Sequence, residues 1–176
     1  GVWSLLHEQR PDGEQFWLGS DGEGLLHYSA KGWRQFHVAD GLPSEMVRSV
    51  ARDPSTDQLL VGTWGGELSR FDGKRFQTVP TPWPKSDHEA ISKIVPDRDG
   101  ALWFALRESG LARLQAGRWT TYGPAQGFPN RVNDLQRVGD SLWASTGSRG
   151  LARIDKDGWQ FFGRAEGFAD DLIFAL

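Results

Sequence analysis

Apolar residues recur along the chain in short runs that return at a near-constant interval. The runs Phe16-Trp17-Leu18-Gly19, Leu59-Leu60-Val61-Gly62, Leu102-Trp103-Phe104-Ala105 and Leu142-Trp143-Ala144-Ser145 are 43, 43 and 40 residues apart, measured from Trp17 to Leu60, Trp103 and Trp143. Eight residues beyond each stands Leu25, Leu68, Leu111 or Leu151, and eight further an aromatic: Trp33, Phe76, Trp119 or Trp159. A fourth apolar run precedes each ladder, at Val2-Trp3-Ser4-Leu5, Val47-Arg48-Ser49-Val50, Ile91-Ser92-Lys93-Ile94 and Val132-Asn133-Asp134-Leu135. A fixed period near 40 residues marks a repeat architecture. The pattern predicts four strands of about five residues in each of four repeats.

The punctuation agrees. Pro11-Asp12-Gly13 and Asp99-Gly100 fall between the first and second strands, and Asp72-Gly73 and Asp157-Gly158 between the third and fourth, all hairpin chemistry. Alternation such as Trp119-Thr-Thr-Tyr122, with little 3.6-residue periodicity, argues against a helical solenoid. Four antiparallel strands per repeat is the blade of a β-propeller. The fold class is therefore all-β, with blades over about 2–45, 46–89, 90–131 and 132–171. Leu172-Ile173-Phe174-Ala175-Leu176 holds the place of the first strand of a fifth blade. That predicts a fragment of a larger propeller of about seven blades, whose partners are its remaining blades or a second copy of the chain.

Composition narrows the chemistry. Lys and Arg number 20 against 23 Asp and Glu, for a net charge of −3 without like-charge blocks, so a nucleic-acid surface is unsupported. No apolar run approaches the roughly 20 residues of a membrane span, so no direct membrane insertion is expected. With no cysteine there is no disulfide, thiolate metal site or cysteine nucleophile. His7, His27, His37 and His88 show no ligand-like spacing, and Asp97-Arg98-Asp99-Gly100 reads as a hairpin turn and not a calcium loop, so no metal and no cofactor is expected.

The stretch Leu60-Val-Gly-Thr-Trp-Gly-Gly-Glu-Leu-Ser-Arg-Phe-Asp-Gly-Lys-Arg-Phe76 and the linker Ala39-Asp-Gly-Leu-Pro-Ser-Glu-Met-Val-Arg-Ser-Val50 resemble the two-component regulator propeller repeat. Echoes of the linker recur at Gln126-Gly-Phe-Pro-Asn-Arg-Val132 and Glu166-Gly-Phe-Ala-Asp-Asp171, whereas Pro82-Trp-Pro84 and the loop to Glu89 depart from it. The resemblance implies the extracytoplasmic, periplasmic sensor of a membrane-anchored histidine kinase or diguanylate cyclase, often for carbohydrate fragments. Neither output module is present in this sequence, and the implied role is non-catalytic ligand sensing. A propeller enzyme, a lyase or glycosidase using loop carboxylates, and a protein-interaction scaffold stay open beside it.

Six tryptophans, Trp17, Trp33, Trp103, Trp119, Trp143 and Trp159, fall on repeat positions and are expected in the core. Trp64, in a loop between second and third strands, and Trp83, in the second linker, belong to segments that emerge on one propeller face, where their rings could stack on a sugar; for Trp64 a structural role stays equally open. The equivalent loops carry Asp21 and Glu23, Arg107 and Glu108, and Ser148 and Arg149, either a polar rim that orients a ligand or solvated loop charges. His88, in Lys85-Ser-Asp-His-Glu89, is a candidate ligand contact or weak acid/base, or an exposed loop histidine. Arg70, Arg113 and Arg153 recur at one repeat position and read as structural.

Overall fold

Sixteen strands in four antiparallel sheets and three single 3-10 turns make up the computed structural model, which describes residues Gly1–Leu176. The sheets are β1 (Val2–Arg10) to β4 (Gly32–Phe36) through β2 (Gly13–Ser20) and β3 (Leu25–Ser29); then β5 (Val47–Arg52), β6 (Leu59–Thr63), β7 (Leu68–Phe71) and β8 (Phe76–Val79). The third holds β9 (Ile91–Pro96), β10 (Leu102–Leu106), β11 (Gly110–Gln115) and β12 (Arg118–Tyr122); the fourth holds β13 (Val132–Val138), β14 (Ser141–Thr146), β15 (Leu151–Asp155) and β16 (Gly158–Phe162). Strands pair in chain order within every sheet, the meander of a propeller blade. The chain divides into two compact units: Gly1–Thr81 with Lys85–Ile91, and Pro82–Pro84 with Ser92–Leu176.

In the first unit, sheets one and two bury a shared core of Trp17, Leu25, Phe36, Val47, Leu59, Val61 and Phe71. Their approach is close. A Cβ on Gly19 would lie 2.7 Å from a Val47 methyl, so only glycine lets β5 cross β2 there. In the second unit, Trp103, Leu111, Phe128, Val132, Leu142 and Ile154 form the corresponding core. Each such core is also flanked by ion pairs between its two sheets. Arg52 grips Glu8 with Nε and Nη2 at 2.9 and 2.5 Å, and Arg137 reaches Asp97 at 2.5 Å. Asp97, expected only as a turn residue, also accepts the Trp103 indole N–H at 2.9 Å.

The loops between second and third strands are closed by hydroxyls. Ser20, Thr63 and Thr146 each donate to the carbonyl four residues on, at 2.8, 3.3 and 2.9 Å. At the third of these loops Leu106 has no such group, and Gly110 makes the turn with φ +82, where a Cβ would strike the Tyr122 carbonyl. After the fourth strand of sheets one, three and four, a 3-10 turn is followed by an apolar residue: Leu42 and Phe128 are buried, Phe168 is 39% exposed. The Glu45 and Asp171 carboxylates accept the first turn amides, Val38 N–H at 2.9 Å and Arg164 N–H at 2.8 Å. In the second unit's first turn that position is Pro124, without an amide hydrogen, and the register partner of Glu45 is the neutral Asn130.

Residues 172–176, expected to open a fifth blade, form no strand. Ile173 N–H donates to the Thr146 carbonyl at 3.0 Å and Asn133 Nδ2 to the Ile173 carbonyl at 2.7 Å.

Two expectations about tryptophan need correction. Trp33 is 63% exposed, not core. Its counterparts Phe76 and Trp159 are covered by the preceding sheet of their own unit, and Trp33 belongs to the first sheet of its unit, where its ring meets Tyr28 at 5.0 Å. Trp83 is 5% exposed, not a rim aromatic. It packs edge-on against Trp119 at 5.1 Å and tilts over Phe104 at 5.8 Å, filling the space beside the second unit's first sheet. Trp119, Trp143 and Trp159 are half-buried, and Trp17 and Trp103 are core.

Candidate functional site

The strongest constellation of aromatic and charged groups outside the core lies in the first unit, where β1 and β5 meet the loop after β6. Trp3 and Trp64 stand 5.9 Å apart between ring centroids, tilted by 34°. The Arg48 guanidinium carbon lies 4.7 Å from the Trp3 centroid and 5.8 Å from that of Trp64. A guanidinium beside two indoles is attracted by both ring quadrupoles and holds their faces in place. Local sequence dictates this arrangement. Trp3 and Arg48 are the extra residues at matching β-bulges, where the register shifts between Val2 and Ser4 and between Val47 and Ser49, which takes both out of the ladder at the same end of neighbouring sheets.

Trp64 is fixed from two sides. Its backbone N–H donates to the Met46 carbonyl at 2.9 Å, and its indole Nε1 donates to the Asp87 carbonyl at 2.8 Å. The segment before β9 is laced to the same loop: Gly65 N–H reaches the Glu89 carbonyl at 2.8 Å, Ser86 N–H the Gly65 carbonyl at 3.3 Å, and Ala90 forms a bridge with Trp64. The structure thus brings Trp64 and the exposed His88 together, one residue from the carbonyl that anchors the indole. Glu89 in the same loop is buried.

The other anticipated residues go elsewhere. Asp21, the register counterpart of Trp64, is exposed and bridged through its backbone to Met46. Glu23 is exposed and turned toward the outer strand, where Gln35 Nε2 donates to its carbonyl at 2.7 Å. In the second unit, Arg107 and Glu108 form an ion pair with each other at 4.0 Å. Arg149 is exposed, lies over the Phe161 ring at 3.8 Å and donates to the Gly127 carbonyl of the preceding linker at 3.2 Å. No three His, Asp or Glu side chains gather into a group able to hold a metal ion, and no helix is long and apolar enough to cross a membrane.

Sequence reasoning missed Trp3 and Arg48. Both sit in apolar strand runs, where the repeat suggested packing. The available signal was their shared repeat position: each directly follows the valine that opens its strand.

No family model matches the chain, and no curated protein matches it. Solved structures do. The extracellular domain assigned to a hybrid two-component system, BT4673 of B. thetaiotaomicron, superposes with a TM-score of 0.77 at 22% identity, covering 99% of this chain and 24% of that one. A further structure of that domain, described as a one-component system, gives 0.78 at 21% identity with the same coverage. PorZ of Porphyromonas gingivalis, described as an essential surface component of the type-IX secretion system, gives 0.62 at 14% identity, covering 92% of this chain and 26% of that one. The chain spans about a quarter of the length of these structures. At these identities the likeness shows the fold.

Proposed function

We propose that this chain is part of an extracytoplasmic, non-catalytic ligand-sensing propeller of a two-component-type signalling protein, located in the periplasm. The single observation that carries the reading is the Trp3, Arg48 and Trp64 cluster at the loop end of the first unit. Two indole faces braced by a guanidinium offer what a sugar ring needs: apolar stacking surface and directional donors. His88 stands at the edge of the same loop pair, and the ligand class that fits is an oligosaccharide. The likeness to the BT4673 extracellular domains supports the sensor reading. Sensing follows from differential affinity: a ligand that binds one arrangement of blades or protomers more tightly shifts the population toward it. Further blades or a second copy of the chain complete the sensor in this reading.

Isothermal titration calorimetry of the chain against a panel of oligosaccharides tests it. Binding by the parent, weakened at least about tenfold in Trp64→Ala and in Arg48→Gln but unchanged in Trp33→Ala, is the expected outcome. Binding that ignores Trp64 and Arg48 removes the site, and turnover of a chromogenic glycoside removes the non-catalytic reading.

A further inference from the structure

The opposite ends of the sheets, at the hairpins, carry a second kind of opening. Each unit has a cleft between its two sheets there, about 870 Å³ in the first and about 610 Å³ in the second. Both are built at register-equivalent positions: Trp17, Phe36 and Phe71 in one answer to Trp103, Tyr122 and Ile154 in the other. The floors differ. In the first unit Phe71 stacks on Phe76 at 4.5 Å and meets Phe36 at 5.1 Å and Trp17 at 5.9 Å, closing the aromatic layer. In the second unit the smaller Ile154 takes that place. Trp103, Tyr122 and Trp159, paired at 5.7 and 5.8 Å, then wall a cleft with an aliphatic floor.

The rim of this second cleft is charged on both signs in balance: four acidic and four basic side chains line it. Asp97 with Arg137 is the buried pair already described. Asp99 pairs with Arg113, whose guanidinium also lies over Trp103. Arg98 pairs with Asp140 across the mouth, from the third sheet to the fourth, with side chains 67% and 93% exposed. An exposed pair of this kind contributes little and exchanges readily. A balanced rim gives no net attraction to an anion or a cation, but one opened pair presents a carboxylate and a guanidinium a few ångströms apart. The ligand that satisfies both is a zwitterion, and the walls select a flat apolar group.

We propose that the cleft between the third and fourth sheets binds a zwitterionic aromatic amino acid or a short peptide bearing one. The ring lies among Trp103, Tyr122 and Trp159 above Ile154, the ammonium meets Asp140, and the carboxylate meets Arg98. This site is at the other end of the sheets from the indole cluster and takes a different class of ligand.

Calorimetric titration of the full chain with L-phenylalanine is the test. Saturable binding is expected, at least about tenfold tighter than for phenethylamine or 3-phenylpropionate, which each lack one charge. Ile154→Phe sets a ring on the floor where the ligand's own ring would lie and weakens binding at least about tenfold. Arg98→Gln, a surface change that leaves folding intact, weakens it at least about tenfold, and Trp64→Ala leaves it unchanged. No binding of L-phenylalanine, equal binding of the half-charged analogues, insensitivity to Arg98→Gln, or equally tight uptake of cellobiose that Ile154→Phe also weakens each overturns the proposal.

Discussion

Replacing Asp97 by alanine tests whether the two sheets of the second unit are held by one buried charge. The carboxylate accepts Arg137 Nη2 at 2.5 Å and Trp103 Nε1 at 2.9 Å, and the paired side chains are only 15% and 20% exposed. Removing it leaves the Arg137 guanidinium largely buried without its counter-charge, its Nε already lacking a partner. Breaking a buried pair from one side costs about 3–5 kcal/mol, and orphaning an indole N–H about 1 kcal/mol more. Some water reaches both groups, so about 3 kcal/mol in total is expected, or roughly 6–12 °C in Tm for a chain of this size. Asp97→Asn, which keeps one acceptor oxygen for one of the two donors, should lose somewhat less than that. Arg137→Met removes the stranded charge, so adding it to Asp97→Ala should recover about 1–2 kcal/mol. Urea titration of the four proteins, followed by near-UV circular dichroism, reads the cycle. A loss below about 1 kcal/mol for Asp97→Ala, or strictly additive effects, would refute the reasoning.

Trp83→Ala should destabilise by about 3–5 kcal/mol through the cavity left beside Phe104 and Trp119, whereas Trp33→Ala should stay within about 0.5 kcal/mol; thermal unfolding of the pair separates buried from exposed tryptophan directly. Gly110→Ala should lose about 2 kcal/mol or more, because φ +82 and the Tyr122 carbonyl both resist a Cβ, while Ala116, already left-handed with φ 48, should gain stability as glycine. The His27 pKa is lowered from its ordinary 6.5, first by burial and then by the Arg52 charge, with Asp12 and Glu8 opposing. The unfolded chain therefore takes up this proton more readily, so the contribution to stability is full above pH 6.5 and is lost as pH falls from there through the lower folded value. His27→Gln should flatten that part of the stability profile in urea titrations at stepped pH.

The four sheets were legible because strand identity here is carried by spacing, and spacing survives in a sequence. Which face of a strand is covered is a different matter. Trp33 and Trp159 share one repeat position, but the covering sheet exists within the unit for Trp159 and not for Trp33. Trp83 lay off the repeat, and its burial depends on Phe104 and Trp119, some twenty and thirty-six residues on, which no local pattern could connect. Trp64 and His88 stood out as candidates because loops break the repeat visibly. Arg48 and Trp3 were hidden because a strand run reads as core and a β-bulge leaves no mark in the spacing of its apolar residues.

Copies of one unit within a single chain amount to a small set of aligned relatives. At the turn after the fourth strand, Val38 and Arg164 present an amide to Glu45 and Asp171; at Pro124 the donor is gone, and the acid facing it has become Asn130. Donor and acceptor changed together, without any second organism to consult. A designer could read such internal covariation as a table of permitted exchanges, grafting the proline and asparagine as a couple into another turn, where the proline alone would leave a carboxylate without its amide donor.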